Sequence, residues 1–386
     1  MHVLRNTLIP LVTVLGLELG ATIAYAVVTE TIFAWPGAGK LILDSINALD
    51  RPVVVAYLMV VVVIFVTLNL VVDLLYKLLD PRAAGRRAMK TKTFDEHSIW
   101  WRVGADFLHS RVAVAGLVLL ALVVLAALAA PWITPQNPYD LMQLDVLDAR
   151  LHPGTPSSAA GYTYWLGTDG QGRDLYSAII YGLRISLLVG VGSAAIAAVI
   201  GTLVGLLAAY AGGKVDALLM RLVDLLLSFP TILMALMILA YMGKGVGNVV
   251  LTLVLLEWAY YARTARGQAL VETNREYVEA ARGQGLPRWR ILTGHILPNC
   301  LPPLLVIGAL QIARAITLEA TLSFLGLGVP ITEPSLGLLI SNGYQYLLSN
   351  EYWISFFPGV ALLATIVAIN LVGDQLRDVL NPRLQK

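Results

Sequence analysis

The sequence predicts an all-α polytopic membrane protein with about eight transmembrane helices, two in an N-terminal segment and six in the rest of the chain. Hydrophobic residues make up 58% of its 386 residues, charged residues make up only 13%, and the mean hydropathy is +0.74. Several apolar runs reach the roughly 20 residues that a helix needs to cross a bilayer. This composition lies outside the range of soluble globular proteins, so we expect the chain to be embedded in a lipid bilayer.

The apolar runs place the predicted spans. We expect them at about residues 8–33, 53–79, 112–133, 185–209, 218–242, 246–262, 301–324 and 353–372. The first run is too long for a signal peptide and lacks a small-residue cleavage pattern, so it is predicted to be a retained span. Basic and aromatic residues between 82 and 111 predict an amphipathic helix at the headgroup level.

The basic residues are distributed by membrane side. Most of the 27 lysines and arginines fall in alternate loops, which places both termini and the 263–290 loop in the cytoplasm. The net charge of +2 is not gathered in a patch and therefore does not indicate nucleic-acid binding. A single cysteine, Cys300, excludes an intrachain disulfide and a multi-cysteine metal site.

A polar stretch at residues 273–299, called the polar loop below, lies between two predicted spans. Thr273 and Glu276 have the spacing of a capping box, which predicts a short helix from Asn274 to Arg282. Glycines 283 and 285 are expected to end this helix. Pro287 then suits the first turn of a second helix, because its missing N–H would have no partner there.

Small side chains give the first of these helices a face that another protein can approach closely. Ala280 and Ala281 form that face, and Glu279 and Arg282 stand beside it as charged contacts. From the residues alone, a docking face and a plain connecting loop are both open.

The same residues carry a family resemblance. Glu279, Ala280, Ala281 and Gly285, followed by Leu297 and Pro298, resemble the EAA motif of binding-protein-dependent ABC importer permeases. His295 departs from the general pattern, but H-I-L-P-N at 295–299 is similar to the dipeptide, oligopeptide and nickel branch. The resemblance covers about residues 95–386.

That resemblance implies a transport function. In the family, the loop corresponding to residues 266–298 is the coupling helix that sits in a groove of a separate ATPase subunit, which binds ATP and magnesium. The implied ATPase contacts are Tyr277, Glu279, Ala280, Ala281, Arg282, Gly285 and Pro298. Further implied partners are a B-type permease, a second ATPase subunit and an extracytoplasmic substrate-binding protein. The implied cargo is a dipeptide, an oligopeptide or a related substrate such as nickel, crossing the inner membrane of a bacterium or archaeon.

The sequence Trp165–Ser177, called the signature loop below, resembles the C-type permease signature and is predicted to lie outside the cell. Its expected functional residues are Gly167, Thr168, Asp169, Gly172, Arg173 and Asp174. The glycines permit tight turns, and the charged residues can pair with each other or with a docking protein. We favour a structural role at the outer gate over direct ligand contact.

The start of the chain resembles its end. Glu30 to Gly39 matches Glu319 to Gly328 in glutamate and glycine spacing, and the segment ending in Asp80-Pro-Arg82 parallels the one ending in Asn381-Pro-Arg383. We therefore divide the chain into a two-helix fragment at 1–82 resembling the end of a B-type permease, a linker at 83–111, and a C-type permease domain at 112–386. The fragment is either a functional fusion, or a remnant or gene-boundary artefact.

Ionisable residues inside spans are functional candidates, because placing them in lipid costs roughly 2.5–3.5 kcal/mol on insertion scales. They are Glu18, Glu257, Arg314 and Glu319, with Asp224 as a further candidate. Each either lines a peptide pathway or holds the helix bundle together. Arg314 and Glu319 are five residues apart, a spacing that predicts contacts with different helices.

No catalytic or metal-ligand motif is found in the sequence. Residues 37–40 read GAGK but lack the upstream glycine and the Ser or Thr of a phosphate loop. We therefore predict a transport subunit that is not an enzyme and binds neither a cofactor nor a metal. An intramembrane hydrolase is disfavoured because the sequence lacks a suitable dyad, and a passive channel because it would not need the EAA loop.

Overall fold

The computed structural model describes residues 22, 25–79, 107–158 and 161–380. Two predictions fall largely outside these ranges: the first span at 8–33, with Glu18, and the interfacial segment at 82–111. The described residues are mostly helical and contain almost no strand, which confirms the all-α class. They divide into two compact units, residues 1–99 with 225–240 and residues 100–224 with 241–386.

In the first unit, residues 25–32 are helical and are followed by two helices. Helix α1 is Ala38–Asn47 and helix α2 is Arg51–Leu79. The carboxylate of Glu30 accepts a hydrogen bond from the backbone N–H of Lys40 at 2.9 Å, so it satisfies a free donor in the first turn of α1. A Cβ at Gly37 would collide with the same carboxylate, which explains the glycine there.

The second unit is a helix bundle with one small hairpin. Its helices begin with α3 (Arg111–Ile133), α4 (Leu175–Ala211) and α5 (Gly213–Leu227), whereas most of α6 (Thr231–Met242) belongs to the first unit. They continue with α7 (Val246–Thr273), α8 (Glu276–Gly283), α9 (Arg288–Ile291), α10 (Leu297–Phe324), α11 (Leu336–Tyr344) and α12 (Trp353–Val379). Strands β1 (Thr155–Pro156) and β2 (Thr163–Tyr164) pair antiparallel, with Thr155 opposite Tyr164. No alternating pattern in the sequence predicts this hairpin.

The helices that can cross a membrane correspond to most of the predicted spans. Among the described residues, five are long and apolar enough: Arg51–Leu68, Arg111–Ile133, Leu175–Ala211, Arg288–Phe324 and Trp353–Val379. A sixth is possible if α5 and α6 form one broken span, which would correspond to the span predicted at 218–242 with an interruption at 228–230, just before Thr231. Pro230 lacks the N–H that would continue the helix there. The residues of the predicted span at 246–262 are helical and lie in α7, but α7 is not among the helices that are long and apolar enough to cross a membrane.

The bundle is organised around the contact between α4 and α7. A Cβ at Gly201 would press on the backbone of Trp258, and one at Gly205 on the carbonyl of Ala262. Without a hydrophobic driving force in lipid, such small-residue contacts let two backbones approach closely. Gly190 has the same role against Ile316 of α10. Gly192, which has the same small-residue character in the sequence, has open space around it.

These glycines give a matched pair of variants. Gly205→Ala should lower the melting temperature of the detergent-purified protein, because overpacking costs about 1–3 kcal/mol. Gly192→Ala should leave the melting temperature unchanged or raise it, since alanine is favoured over glycine in a helix by up to about 1 kcal/mol. Equal melting temperatures for the two variants would show that the α4–α7 contact is not sterically tight.

Candidate functional site

Helix α8, the first helix of the polar loop after α7 ends at Thr273, starts two residues later than predicted. The capping box is not formed: Arg275 is the N-cap residue and makes no side-chain capping bond. Thr273 is still the last residue of α7, and its hydroxyl donates to the carbonyl of Ala269 at 2.6 Å. Because Thr273 still has helical backbone conformation in α7, it does not occupy the N-cap position of α8, which belongs to Arg275.

Gly285 forms the turn at the end of α8. Its φ is +73°, its N–H donates to the carbonyl of Arg282 at 3.0 Å, and the N–H of Leu286 donates to Ala281 at 3.2 Å. These two bonds make a Schellman motif, in which a left-handed residue satisfies the free carbonyls of the helix end. Gly283, expected to end the helix, is its last residue. Pro287 is the N-cap of α9 and does not lie in its first turn.

Helix α8 has one face inside the bundle and one face outside. Val278 and Ala281 are buried in a core that includes residues of α4, α7 and α10. The prediction that Ala281 lies on a free docking face is therefore wrong: its small side chain lets α8 pack against the bundle. Glu279, Ala280 and Arg282 are exposed, as are Gly285 and Pro298. These five residues form the outer face of the polar loop.

Tyr277 ties α8 to both neighbouring helices. Its hydroxyl donates to the carboxylate of Glu272 in α7 at 2.7 Å and accepts from the amide of Asn299 in α10 at 3.1 Å. The same amide of Asn299 donates to the carbonyl of His295 at 2.8 Å. Burial and the bond to Glu272 raise the pKa of Tyr277, so its hydroxyl keeps the proton that it donates. Tyr277 therefore positions α8 between α7 and α10. Part of its side chain is still exposed at the surface.

Sequence reasoning missed the partners of Tyr277. Glu272 and Asn299 lie on separate helices, 5 and 22 residues from Tyr277 along the chain.

The folded chain also has a π-helical turn at Leu292–Ile296 that joins α9 to α10. Such turns occur mostly as local insertions in α-helices and are frequent at functional sites.

The signature loop contains a buried ion pair. Asp169 and Arg173 are 1% and 0% exposed, and their charged atoms lie 3.8 Å apart. The other carboxylate oxygen of Asp169 accepts from the N–H groups of Gln171 and Arg173, and Nη2 of Arg173 donates to the carbonyl of Ile331 at 2.7 Å. Arg173 therefore joins this loop to the segment between α10 and α11.

Asp174 and Thr168 do not pair with a charge. The Asp174 carboxylate caps α4 by accepting from the N–H and hydroxyl of Ser177 at 2.9 and 2.5 Å, while its own N–H donates to the side chain of Gln136. The hydroxyl of Thr168 donates to the carbonyl of Asp148 at 2.6 Å. Gln136 was not predicted, because it lies 38 residues before its partner.

Two glycines of the signature loop have a required conformation. Gly167 and Gly172 have φ values of +80° and +78°, and a Cβ at Gly172 would collide with the carbonyl of Asp145. Together with the buried charges, they tie this loop to neighbouring segments of the chain, and its role as a structural brace stays a prediction. Its charged side chains are not available to a docking protein.

Burial dominates the ionisation of these groups. It raises the pKa of Asp169 and lowers that of Arg173, and the attraction between the two offsets these shifts only in part. It also raises the pKa of Asp174, against the effect of the bonds from Ser177. An uncompensated charge here would be strongly unfavourable.

The predicted ionisable residues of the spans have different environments. Glu319 is fully buried and accepts from Ser186 of α4 at 3.1 Å and from Ser323 at 2.7 Å, which places it in the bundle and not on an open surface. Arg314 lies over the ring of Tyr260 of α7, so the two residues do contact different helices. Glu257 is 1% exposed. Asp224 pairs with Arg263 at 2.6 Å.

Comparison with known proteins gives consistent matches. Residues 1–85 and 201–386 match the family described as binding-protein-dependent transport system inner membrane component, and residues 98–153 match the N-terminal transmembrane domain of oligopeptide transport permease C. The chain belongs to this binding-protein-dependent permease family. A probable D,D-dipeptide transport permease of Escherichia coli (strain K12) is 37% identical over 79% of this chain and 98% of that relative.

Two further relatives have similar coverage. A putative peptide transport permease of Brucella suis is 43% identical over 70% of this permease and 87% of the relative. A di/tripeptide transport permease of Pseudomonas aeruginosa is 38% identical over 72% of this permease and 91% of the relative.

The family settles the general role of the chain. The permease is a multi-pass inner-membrane subunit of an ABC importer, and ATP hydrolysis belongs to a separate subunit. In this family the transporter also includes a partner permease and a substrate-binding protein. The chain is therefore a transport subunit and not an enzyme.

The buried ion pair gives a stability prediction. Arg173→Gln should destabilise the purified permease by about 3 kcal/mol or more, because it leaves the carboxylate of Asp169 buried without a counter-charge. Arg150→Gln breaks the half-exposed pair with Glu351, whose charged atoms are 3.6 Å apart, and should cost less than about 1 kcal/mol. Thermal melting in detergent compares the two. A loss for Arg173→Gln no larger than that for Arg150→Gln would contradict the proposed brace.

Proposed function

We propose that the permease imports small peptides and that the outer face of the polar loop binds the ATPase. The observation that carries the proposal is the two-sided structure of α8. Val278 and Ala281 fix the helix to the bundle, while Glu279 and Arg282 are exposed beside the small side chain of Ala280. A helix held in this way transmits a force applied to its outer face. The names of the relatives, which describe dipeptide, di/tripeptide and peptide permeases, support a peptide substrate over nickel.

The polar loop is proposed to lie in the cytoplasm, together with both termini. The distribution of lysine and arginine supports this orientation, and ATP is available on that side. We further propose a complex with a B-type permease, two ATPase subunits that bind ATP and magnesium, and an extracytoplasmic binding protein. Closure of the ATPases would then move α8 and rock the bundle between inward-facing and outward-facing states.

We also propose that residues 1–82 derive from a second permease and act as a fused fragment. The family match to residues 1–85 as well as to 201–386 supports a common origin. The order of elements supports it too: the short α1 precedes the long α2, as the short α11 precedes the long α12. In both places the glutamate carboxylate accepts a local hydrogen bond, that of Glu30 from the backbone N–H of Lys40 and that of Glu319 from the hydroxyl of Ser323.

The role of Gly285 tests the coupling proposal. Gly285→Val should leave membrane insertion intact but abolish most ATP-driven uptake and weaken co-purification of the ATPase, because a β-branched residue is strained at a φ of +73°. Gly283→Ala is the matched control, since that glycine is helical and has open space around it. Uptake by Gly285→Val equal to that of the control would count against an ATPase contact here.

The fragment proposal has a separate test. Mass spectrometry of the protein purified from its native membrane should find an N-terminus at or close to Met1. A mature chain that begins near residue 90 would remove the fused fragment from the working transporter.

A further inference from the structure

Arg314 is an exposed charge within the membrane-spanning helix α10. Its neighbours Ala313, Ala315 and Ile316 are buried in the bundle, whereas Arg314 faces away from it. The helix lies in the span Arg288–Phe324. An arginine facing lipid at this position would cost roughly 2.5–3.5 kcal/mol on insertion scales. The side chain must therefore face either a water-filled pathway or another protein.

Two neighbours fix the orientation of this guanidinium. It lies 4.9 Å from the ring centre of Tyr260, and its Nη1 donates to Oε1 of Gln311 at 3.4 Å. The ion pairs found among the described residues do not include Arg314. A guanidinium held by stacking and one weak hydrogen bond keeps most of its N–H donors for a ligand.

Behind Arg314, unpaired polar atoms run along the contact between α7 and α10. Glu257 is buried, yet neither of its carboxylate oxygens has a hydrogen-bond partner among the described residues, and the same is true of the Tyr261 hydroxyl and Nε2 of Gln311. A Cβ on Gly308 of α10 would lie 4.0 Å from that hydroxyl, which places it between the two helices. We call Glu257, Tyr260, Tyr261, Gln311 and Arg314 the polar seam.

The polar seam is not built like a structural ion pair. Buried polar groups in stable cores are nearly always hydrogen-bonded, as Glu319 is on the same helix. In the seam, Glu257 and Arg314 influence each other electrostatically but form no ion pair. The exposed guanidinium of Arg314 is the part of the seam that a polar ligand can reach, and the unpartnered atoms lie buried behind it.

We infer that Arg314 binds the carboxylate of the transported peptide, positioned by Tyr260 and Gln311; this inference rests on the proposed function. The guanidinium fork matches a carboxylate, with which it can form two parallel hydrogen bonds. Glu257 lies behind the site, and neither of its carboxyl oxygens has a hydrogen-bond partner among the described residues. A transported ligand must be released as well as bound, so the site must not hold it too tightly.

The competing explanation is that Arg314 pairs with a carboxylate of the partner permease. The two explanations differ in whether transport depends on a free carboxylate on the substrate. A substrate site distinguishes a free carboxylate from an amide, whereas a subunit contact treats both peptides alike and affects assembly.

The test uses the complete transporter, purified with its partner permease, ATPase and binding protein and reconstituted in proteoliposomes. Uptake of radiolabelled dialanine and of dialanine amide is measured for the wild type, Arg314→Gln and Arg314→Lys, together with the subunit composition of each complex. Arg377→Gln, which removes an exposed arginine from the end of α12, is the control for loss of one positive charge.

We expect Arg314→Gln to raise the KM for dialanine about ten-fold, the effect of losing one charged hydrogen-bonded contact, while the KM for the amide and the subunit composition stay unchanged. Arg314→Lys should raise it by roughly three-fold, since lysine keeps the charge but not the fork. If the wild type does not import the amide, the KM values for dialanine alone decide. The inference is then supported by a KM that is highest for Arg314→Gln, intermediate for Arg314→Lys and lowest for the wild type, with all complexes assembled.

Three results overturn the inference alone while the wild type still imports peptide: an equal effect on both peptides, equal loss for the Gln and Lys variants, or loss of the partner permease from the complex. A wild-type transporter that imports neither peptide instead overturns the proposed peptide function, and this inference with it.

Discussion

The close contact between α4 and α7 is the constraint on which the bundle depends. At Gly201 and Gly205 the backbone of α4 lies so close to α7 that an added Cβ would collide with the carbonyls of Trp258 and Ala262. The contact continues as a core of small and branched residues that reaches Val278 and Ala281 in α8. The position of the polar loop outside the bundle is therefore fixed by packing inside it. Any force on α8 must act on α7 and α10, because α8 has no independent core.

The opposite end of α4 is fixed by polar interactions. Asp174 caps the helix, and Arg173 beside it connects the signature loop to the carbonyl of Ile331. Burying these charges costs free energy, so the buried pair adds little net stability. Its contribution is to set the position of the signature loop relative to α4 and Ile331. Helix α4 is thus held at one end by directional bonds and along its middle by steric fit. We expect such an element to move as a rigid body.

The sequence predicted what depends on composition and local spacing. The apolar runs located most spans, and the residues of the polar loop gave a helix, a glycine turn and a second helix, as observed. What it missed depends on partners distant in the chain. The capping box failed because Thr273 still belongs to α7, and Ala281 was placed on the wrong face because a small residue suits both a docking surface and a tight internal contact. Gln136 and Asn299 could not be identified, because no local pattern marks a side chain whose partner lies tens of residues away.

Helix α10 connects the two functional regions. Its start is irregular: the π-helical turn at Leu292–Ile296 precedes it, and Pro302 and Pro303 remove backbone donors from its first turns. Beyond them the helix continues to Phe324 through Gln311, Arg314 and Glu319. A bend is least costly where backbone hydrogen bonds are already missing, and that region adjoins the hydrogen bonds of Tyr277 and Asn299. Movement of α8 is therefore expected to change the angle of α10 at its start, which shifts Arg314 relative to α7 while Glu319 stays bonded to Ser186 of α4.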